Sequence, residues 1–443
     1  MTFNSRATTG AKSSGFNTLS VGSVMTAYSE TVIMCESIVL KGDINLRYNC
    51  KNEYESGVKV GAEFYTKYAA VHEKLTLTTE FSFFSGTEAK LWLSVKDSSE
   101  RIIYSEDEIK VTRGRDDKAK VTTNIDGLLR GFRRDFISIE WYQGLTNKIG
   151  TRMPTIYFFP HKPNLPWVWD TASNQNPWVT ALDMLLKWGV VGESDTKRIA
   201  RKITEYVYSS EKFKYDAPVF DASGKRVEGI GTGKSQLSGN GKFLCTTFIG
   251  IIPGANKKNP IVVNCSDCAT VVSTFSNLLG ANLYQTRFGA SSFHCNKVKT
   301  IGFDAYWQYP FPKIGDLVSV SVADSTATGG SFSYHEVAVN GPGMTISEEI
   351  YDACLKVNPK PISYPDGRNE KGKNENGVLP VGMEFALYPV YDYIYNGVHY
   401  GKLTQDDEED FKYRERLILN KKLDLSNGVF TGYGCSTGRR PME

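Results

Sequence analysis

"VNCSDCATVVSTFSNLLG", residues 263–280, decides how this chain is read. Two cysteines, two residues apart, open an apolar run that ends in glycine. Positions 268, 271, 272, 275, 278 and 279 hold Cys, Val, Val, Phe, Leu and Leu. That is the i, i+3, i+4, i+7 spacing of an amphipathic helix, with Gly280 as its stop. Cys268 belongs to this stripe and reads as core. Cys265 falls at or just before the first turn, after the apolar "PIVVN". Unpaired N–H groups and the positive end of the helix dipole converge there. Both favour thiolate over thiol and can stabilise an oxyanion.

The pair has two other readings. Cys265, Cys268 and "HC" (294–295) supply four potential zinc ligands. Structural zinc sites usually space the second pair by at least two residues, and adjacent His294 and Cys295 on a strand would point to opposite faces. A redox pair needs a thioredoxin-like βαβ setting, whereas here helices precede the motif and antiparallel-looking strands follow. Neither metal nor cofactor is expected, and both readings stand as alternatives to a nucleophile.

A nucleophile needs a base, and the chain has five histidines: 72, 161, 294, 335 and 399. His72 lies in a β-rich N-terminal region, His161 in a linker and His399 beyond a polar loop, which leaves His294 and His335. In "SFSYHEVAV", His335 shares a strand face with Val337 and Val339, so it points toward the core. The next segment, "EIYDACLKV", brings Asp352, and the "NGPG" turn (340–343) lets the two segments run antiparallel. A carboxylate beside His335 would fix its tautomer and stabilise imidazolium. The order is Cys265, His335 70 residues later, and Asp352 17 residues after that.

Working outward, 443 residues are too many for one ordinary core. The composition is globular, with 40% hydrophobic, 12% aromatic and 23% charged residues. A net charge of +3 gives no reason to expect nucleic acid as partner. The N-terminus is Ser/Thr/Gly-rich and lacks the apolar region of a signal peptide, and no 18-residue apolar stretch exists to span a membrane. The eight cysteines form no disulfide-type framework. A cytoplasmic protein without membrane association is expected, with export by a signal-independent route left open.

Residues 1–22 read as flexible. From 23 to 160, short alternating segments such as "KLTLTTEFSFF" and "AKLWLSVKD" predict a β-sandwich. "GLLRGFRRDF" (127–136) reads as a helical turn or a loop, and "HKPNLPWVWD" (161–170) as a connection packed on a surface. Helices follow at 176–189, with Pro177 at the first helical position and Gly189 at the end, and at 193–210, with Ile199, Ile203, Tyr206 and Val207 on one face. Residues 216–242 read as loop, and "KFLCTTFIGIIPG" (242–254) as helix or strand. After the cysteine helix come strands, then a polar loop at 359–379 and a C-terminal β/α extension over 361–443. The fold class is α+β.

Three segments resemble the transglutaminase-like superfamily of papain-type thiol enzymes. "NCSDCA" (264–269) resembles its Cys-x-Asp/Glu-x-Ala block, "YHEVAV" (334–339) its histidine strand, and "YDACL" (351–355) its aspartate strand. The resemblance covers roughly 170–360 and implies a catalytic domain over 161–360, with helices packed on an antiparallel sheet. It implies Cys265 as nucleophile, His335 as general base and acid, and Asp352 as the orienting carboxylate, with Asp267 structural. Glu336 departs from the pattern, standing where the family often has an aromatic. The implied activity is attack on a protein or peptide amide through a thioester, with hydrolysis favoured over amine transfer. The N-terminal β-sandwich is a candidate surface for a protein partner. A non-catalytic scaffold on the same fold, or a secreted effector with the same core, are the alternatives.

Overall fold

The computed structural model describes residues 31–47, 67–127, 131–144, 146–164, 176–216, 219–220, 226–228, 236–239, 242–288, 298–302, 335–340, 348–357, 384–386, 393–395 and 398–400. It is a mixed α+β chain, mostly strands with few helices. Nine strands come first: β1 (Ile33–Ile44), β2 (Tyr68–Phe83), β3 (Glu88–Lys96), β4 (Ile102–Thr112), β5 (Lys118–Asp126), β6 (Arg133–Phe136), β7 (Ser138–Gln143), β8 (Asn147–Arg152) and β9 (Thr155–Phe158). They form two sheets. One has the order β1-β2-β9-β6, with β5 also paired to β2, and the other β4-β3-β7-β8. Alternation explains them: β3 buries Ala89, Leu91, Leu93 and Val95 while the residues between face outward. Apolar residues of both sheets, Phe81 and Trp141 among them, belong to one cluster. "GLLRGFRRDF" ends in a strand, β6, rather than in a helix or loop, because Arg133–Phe136 has β9 to pair with.

The first helix is Val179–Lys187 with Trp178 as its cap, so Pro177 precedes the cap and lies two residues before the first helical position. Gly189 ends it at φ +79°, a conformation glycine adopts without cost. The second helix, Thr196–Ser209, starts on Asp195, whose side chain accepts from the Arg198 N–H. Its apolar stripe is the expected one, with Ile199, Ile203 and Val207 buried and Tyr206 packed partly buried beside them.

β10 (Phe213–Tyr215) follows, and the described parts of the Gly/Ser-rich stretch hold short paired segments, β11 (Val219–Phe220) with β12 (Arg226–Glu228) and β13 (Ser238–Gly239) with β14 (Lys242–Phe243). "KFLCTTFIGIIPG" divides between β14 and a helix, Cys245–Ile251. β15 (Ile261–Val263) pairs in parallel with β10 and runs into the cysteine helix, Cys265–Asn277.

Beyond it lie β16 (Leu283–Phe288), β17 (Val298–Thr300), β18 (His335–Asn340), β19 (Glu348–Tyr351), β20 (Leu355–Val357), β21 (Glu384–Ala386) and the hairpin β22 (Tyr393–Tyr395) with β23 (Val398–Tyr400). The sheet against the helix has the order β16-β18-β19-β21, antiparallel throughout. "EIYDACLKV" is therefore not one strand. It breaks at Asp352, and its second half, β20, leaves to pair with β17.

The apolar cluster around the cysteine helix crosses residue 160. Ile44, Ala70, Phe132, Tyr157 and Phe159 share it with Leu182, Ile203, Phe248 and Phe275. The linker docks on the same body: the Asn164 N–H donates to the Asn277 carbonyl, 2.8 Å, at the end of the cysteine helix. There Gly280, at φ +88°, has no room for a side chain, since a Cβ would lie 2.3 Å from the Cβ of His161. Among the described residues no helix is long and apolar enough to cross a membrane. The expected loop at 359–379 and most of the C-terminal extension lie outside the described residues.

Candidate active site

The cysteine helix begins on a reciprocal cap. The Asn264 side chain accepts from the Asp267 N–H, and the Asp267 carboxylate accepts from the Asn264 N–H, both at 2.9 Å. This capping box fixes the first turn and therefore the direction in which Cys265, its first residue, leaves the backbone. The Asn-x-x-Asp spacing was visible in the sequence and gives Asp267 its structural role. The predicted amphipathic stripe is only half of the outcome, because every residue from Cys265 to Asn277 is buried. The polar side chains that a stripe would leave in water are bonded instead. Thr270 Oγ1 donates to the Ser266 carbonyl at 2.6 Å, Gln285 Nε2 to Ser273 Oγ at 2.5 Å, and Asn277 Nδ2 to the Leu283 carbonyl at 2.9 Å.

β18 presents His335 from its first position, and residues 335–339 are buried on both faces of the strand. The antiparallel register Ala338↔Tyr351 and Val339↔Ile350 brings the end of β19, and Asp352 just after it, alongside His335. Asp352 Oδ2 meets His335 Nε2 at 2.8 Å. Its other oxygen accepts the backbone N–H groups of Cys354, 2.7 Å, and Leu355, 3.2 Å, so the carboxylate cannot swing away. The interruption of the strand between β19 and β20 is what makes those two N–H groups available to Asp352 rather than to a neighbouring strand.

Cys265, His335 and Asp352 thus come together in the buried interior. Burial alone would lower the basicity of His335. The Asp352 charge and hydrogen bond, followed by the hydrogen bond and charge of Cys265, outweigh it and push the imidazole pKa up to about 10. The ring is therefore held as imidazolium at neutral pH.

Cys268 lies one turn further along the helix and is buried. Its thiol is hydrogen-bonded with that of Cys354, which lowers its pKa, but burial and the charge of Asp267 raise it more. Cys354 is driven well above the ordinary range, first by burial. Sequence reasoning missed this thiol pair, which no local pattern signals. It also missed that Glu336 is buried and accepts from Ser266 Oγ at 2.8 Å. Of the other histidines, His72 contacts the Phe159 carbonyl and His161 the Ser194 carbonyl. His294 and Cys295, the remaining zinc candidates, lie outside the described residues, and no group of three or more potential metal ligands occurs among the described ones.

No family model matches the chain, and no curated protein matches it. Among solved structures it is similar to the transglutaminase of red sea bream, with a TM-score of 0.36 and 10% identity over 83% of this chain. It spans 64% of the length of that transglutaminase. A second likeness, to a β-glucuronidase of Bifidobacterium dentium complexed with coumarin-3-O-glucuronide, has a TM-score of 0.18 and 10% identity, covering 35% of this chain and 25% of that one. At these values the site has to be read from its own geometry.

Proposed function

We propose that the protein is a thiol enzyme that cleaves an amide of a protein or peptide through a thioester on Cys265. The observation that carries this reading is the imidazole of His335, held by Asp352 on one nitrogen at 2.8 Å, with Cys265, at the mouth of a capped helix, close enough to help raise its pKa. The Cys265 thiolate attacks the amide carbonyl carbon, and the developing oxyanion turns to the N–H groups of the helix N-terminus, that of Cys265 first. His335 gives its proton to the departing amine nitrogen as the C–N bond breaks. Neutral His335 then takes a proton from water, which attacks the thioester, and the carboxylate product leaves as the thiolate returns. Asp352 keeps the ring oriented and stabilises imidazolium throughout. Water as acceptor makes the enzyme a protease, isopeptidase or deamidase, whereas a lysine amine would make it a transglutaminase.

In this reading the two N-terminal sheets form a β-sandwich domain ahead of a transglutaminase-like core over 161–360, working in the cytoplasm, and the sandwich offers a surface to a protein partner. The test is a peptide-amide probe with a thiol-reactive group, followed by mapping of the adduct. Labelling of Cys265 that disappears in Cys265→Ala and falls sharply in His335→Ala is the expected result. Labelling confined to other cysteines refutes the enzyme and leaves a scaffold.

A further inference from the structure

We infer that Ser266 and Glu336 form a positioning latch for the thiol, each standing one residue after a member of the reacting pair. This rests on Cys265 and His335 acting as proposed above. Ser266 follows Cys265 on the helix and Glu336 follows His335 on β18. Their side chains meet at 2.8 Å across 70 residues of sequence, and both are buried, at 6% and 1% exposure.

Cys265 and His335 lie on different elements, so their separation is set by how the helix seats on the sheet. The helix packs against β16 and β18 within one apolar cluster, and Ser273, two turns beyond Cys265, also accepts from Gln285 of β16. Apolar packing is non-directional and does not by itself fix a sulfur against a ring nitrogen to a fraction of an ångström. The hydroxyl–carboxylate bond is directional, short and removed from water, where such a bond is stronger than in solvent. It ties the helix to the histidine strand one residue from the reacting atoms on both sides. Within the helix the capping box is a local bond, joining Asn264 to Asp267. It orients the first turn but does not reach β18. The Asp352–His335 bond orders the ring but does not reach the helix. The latch supplies a directional constraint between the first turn of the helix and the histidine strand itself. Glu336 is a positioning residue. It acts through Ser266 on the helix and is not assigned contact with substrate.

The test uses the full chain and reads the second-order rate of Cys265 alkylation by iodoacetamide from pH 5 to 10, with the adduct mapped and folding followed by thermal melting. Ser266→Ala removes one buried oxygen, Ser266→Thr keeps the hydroxyl, and Glu336→Gln keeps an acceptor of the same shape. In Ser266→Ala the rate at pH 6 should fall roughly tenfold, a modest share of what an ångström of misplacement can cost. Ser266→Thr and Glu336→Gln should retain most of the wild-type rate. Unchanged kinetics in a folded Ser266→Ala protein overturns the latch. So does equal loss in Ser266→Ala and Ser266→Thr that merely tracks their melting temperatures. If Ser266→Ala fails to fold, Glu336→Gln against Glu336→Ala carries the same comparison. A wild-type Cys265 no faster than the other cysteines would instead remove the thiol-enzyme reading on which the latch depends.

Discussion

Between the two N-terminal sheets the buried cluster is aliphatic and aromatic: Leu77, Phe81, Leu91, Leu93, Trp141 and Phe158. Around the cysteine helix, the cluster of Leu182, Ile203, Val272 and Phe275 is interrupted by buried Ser266, Asp267, Asn277, His335, Glu336 and Asp352. The two regions also treat carboxylates differently. In the N-terminal sheets Glu140 sits against Lys96, at 2.6 Å, and Lys148. Burial raises its pKa, but hydrogen bonds from Lys148, Lys96 and Tyr142 overcome that and hold it down at about 2. Glu336 and Asp352 instead meet neutral hydroxyl and backbone donors and one titratable ring. Burying polar groups costs free energy unless each is hydrogen-bonded. A core that carries this many has given up some stability for directional bonds, and directional bonds are what chemistry at a fixed geometry requires.

The sharpest test of that contrast is loss of function. Cys265→Ala should abolish turnover, since in the proposed mechanism no other group can form the acyl-enzyme. His335→Ala should nearly do so, and Asp352→Asn should leave residual activity, because it only orients and stabilises the ring. Turnover of a fluorogenic peptide amide by the three variants orders them. Full activity in Cys265→Ala would make the polar core structural and erase the distinction.

Next in size are the aromatics. Phe81 packs edge-on against Trp141, ring centres 5.1 Å apart, and Phe275 sits between Trp188, 4.9 Å, and Phe248, 5.4 Å. Either residue changed to alanine should cost about 3–5 kcal/mol in denaturant unfolding. Only Phe275→Ala should also slow the alkylation of Cys265 per folded molecule, since Phe275 anchors the helix that carries the thiol against Trp188 and Phe248. An equal effect from Phe81→Ala would show that the two cores act as one.

Acidity separates the regions further. The folded pKa of His335 lies above its unfolded value, so its protonated form contributes stability fully below about pH 6.5. That contribution is lost as pH rises from there through about 10. Glu140, ionised across that window, adds no slope. Melting temperature should therefore fall from pH 6.5 to 10, and less steeply in Asp352→Asn, where the main cause of the raised pKa is gone. A slope unaffected by that substitution would place its origin elsewhere.

The smallest effect is expected at Cys268. Cys268→Ala should destabilise the fold by about 1–2 kcal/mol, as a minor large-to-small core change, and leave activity per folded molecule intact. Iodoacetamide at pH 6 should mark Cys265 well before Cys268, because buried thiols with raised pKa are unreactive. Preferential labelling of Cys268 would reverse the roles given to the two cysteines.

Local pattern was enough for some of this. Period-two alternation exposed the strands of the N-terminal sheets, and the 3.6-residue stripe exposed the second helix and the apolar half of the cysteine helix, because both periods follow from backbone geometry alone. The Asn264–Asp267 cap was equally local. Cys265 at a helix mouth, with His335 and Asp352 on successive antiparallel segments, needed only turn chemistry and spacing. What the sequence could not decide depends on partners distant in the chain. Arg133–Phe136 is a strand because β9 lies beside it. Asp352 sits at a strand break because β17 draws β20 away. Ser266, Ser273 and Asn277 look like a solvent face until Glu336, Gln285 and Leu283 arrive to bond them, and Glu336 looks like an exposed acid until the helix covers it. Apolar burial is written residue by residue, since it depends on how much surface a side chain removes from water. Polar burial is written only in three dimensions, since it depends on whether a donor and an acceptor, tens of residues apart, arrive within 3 Å of each other.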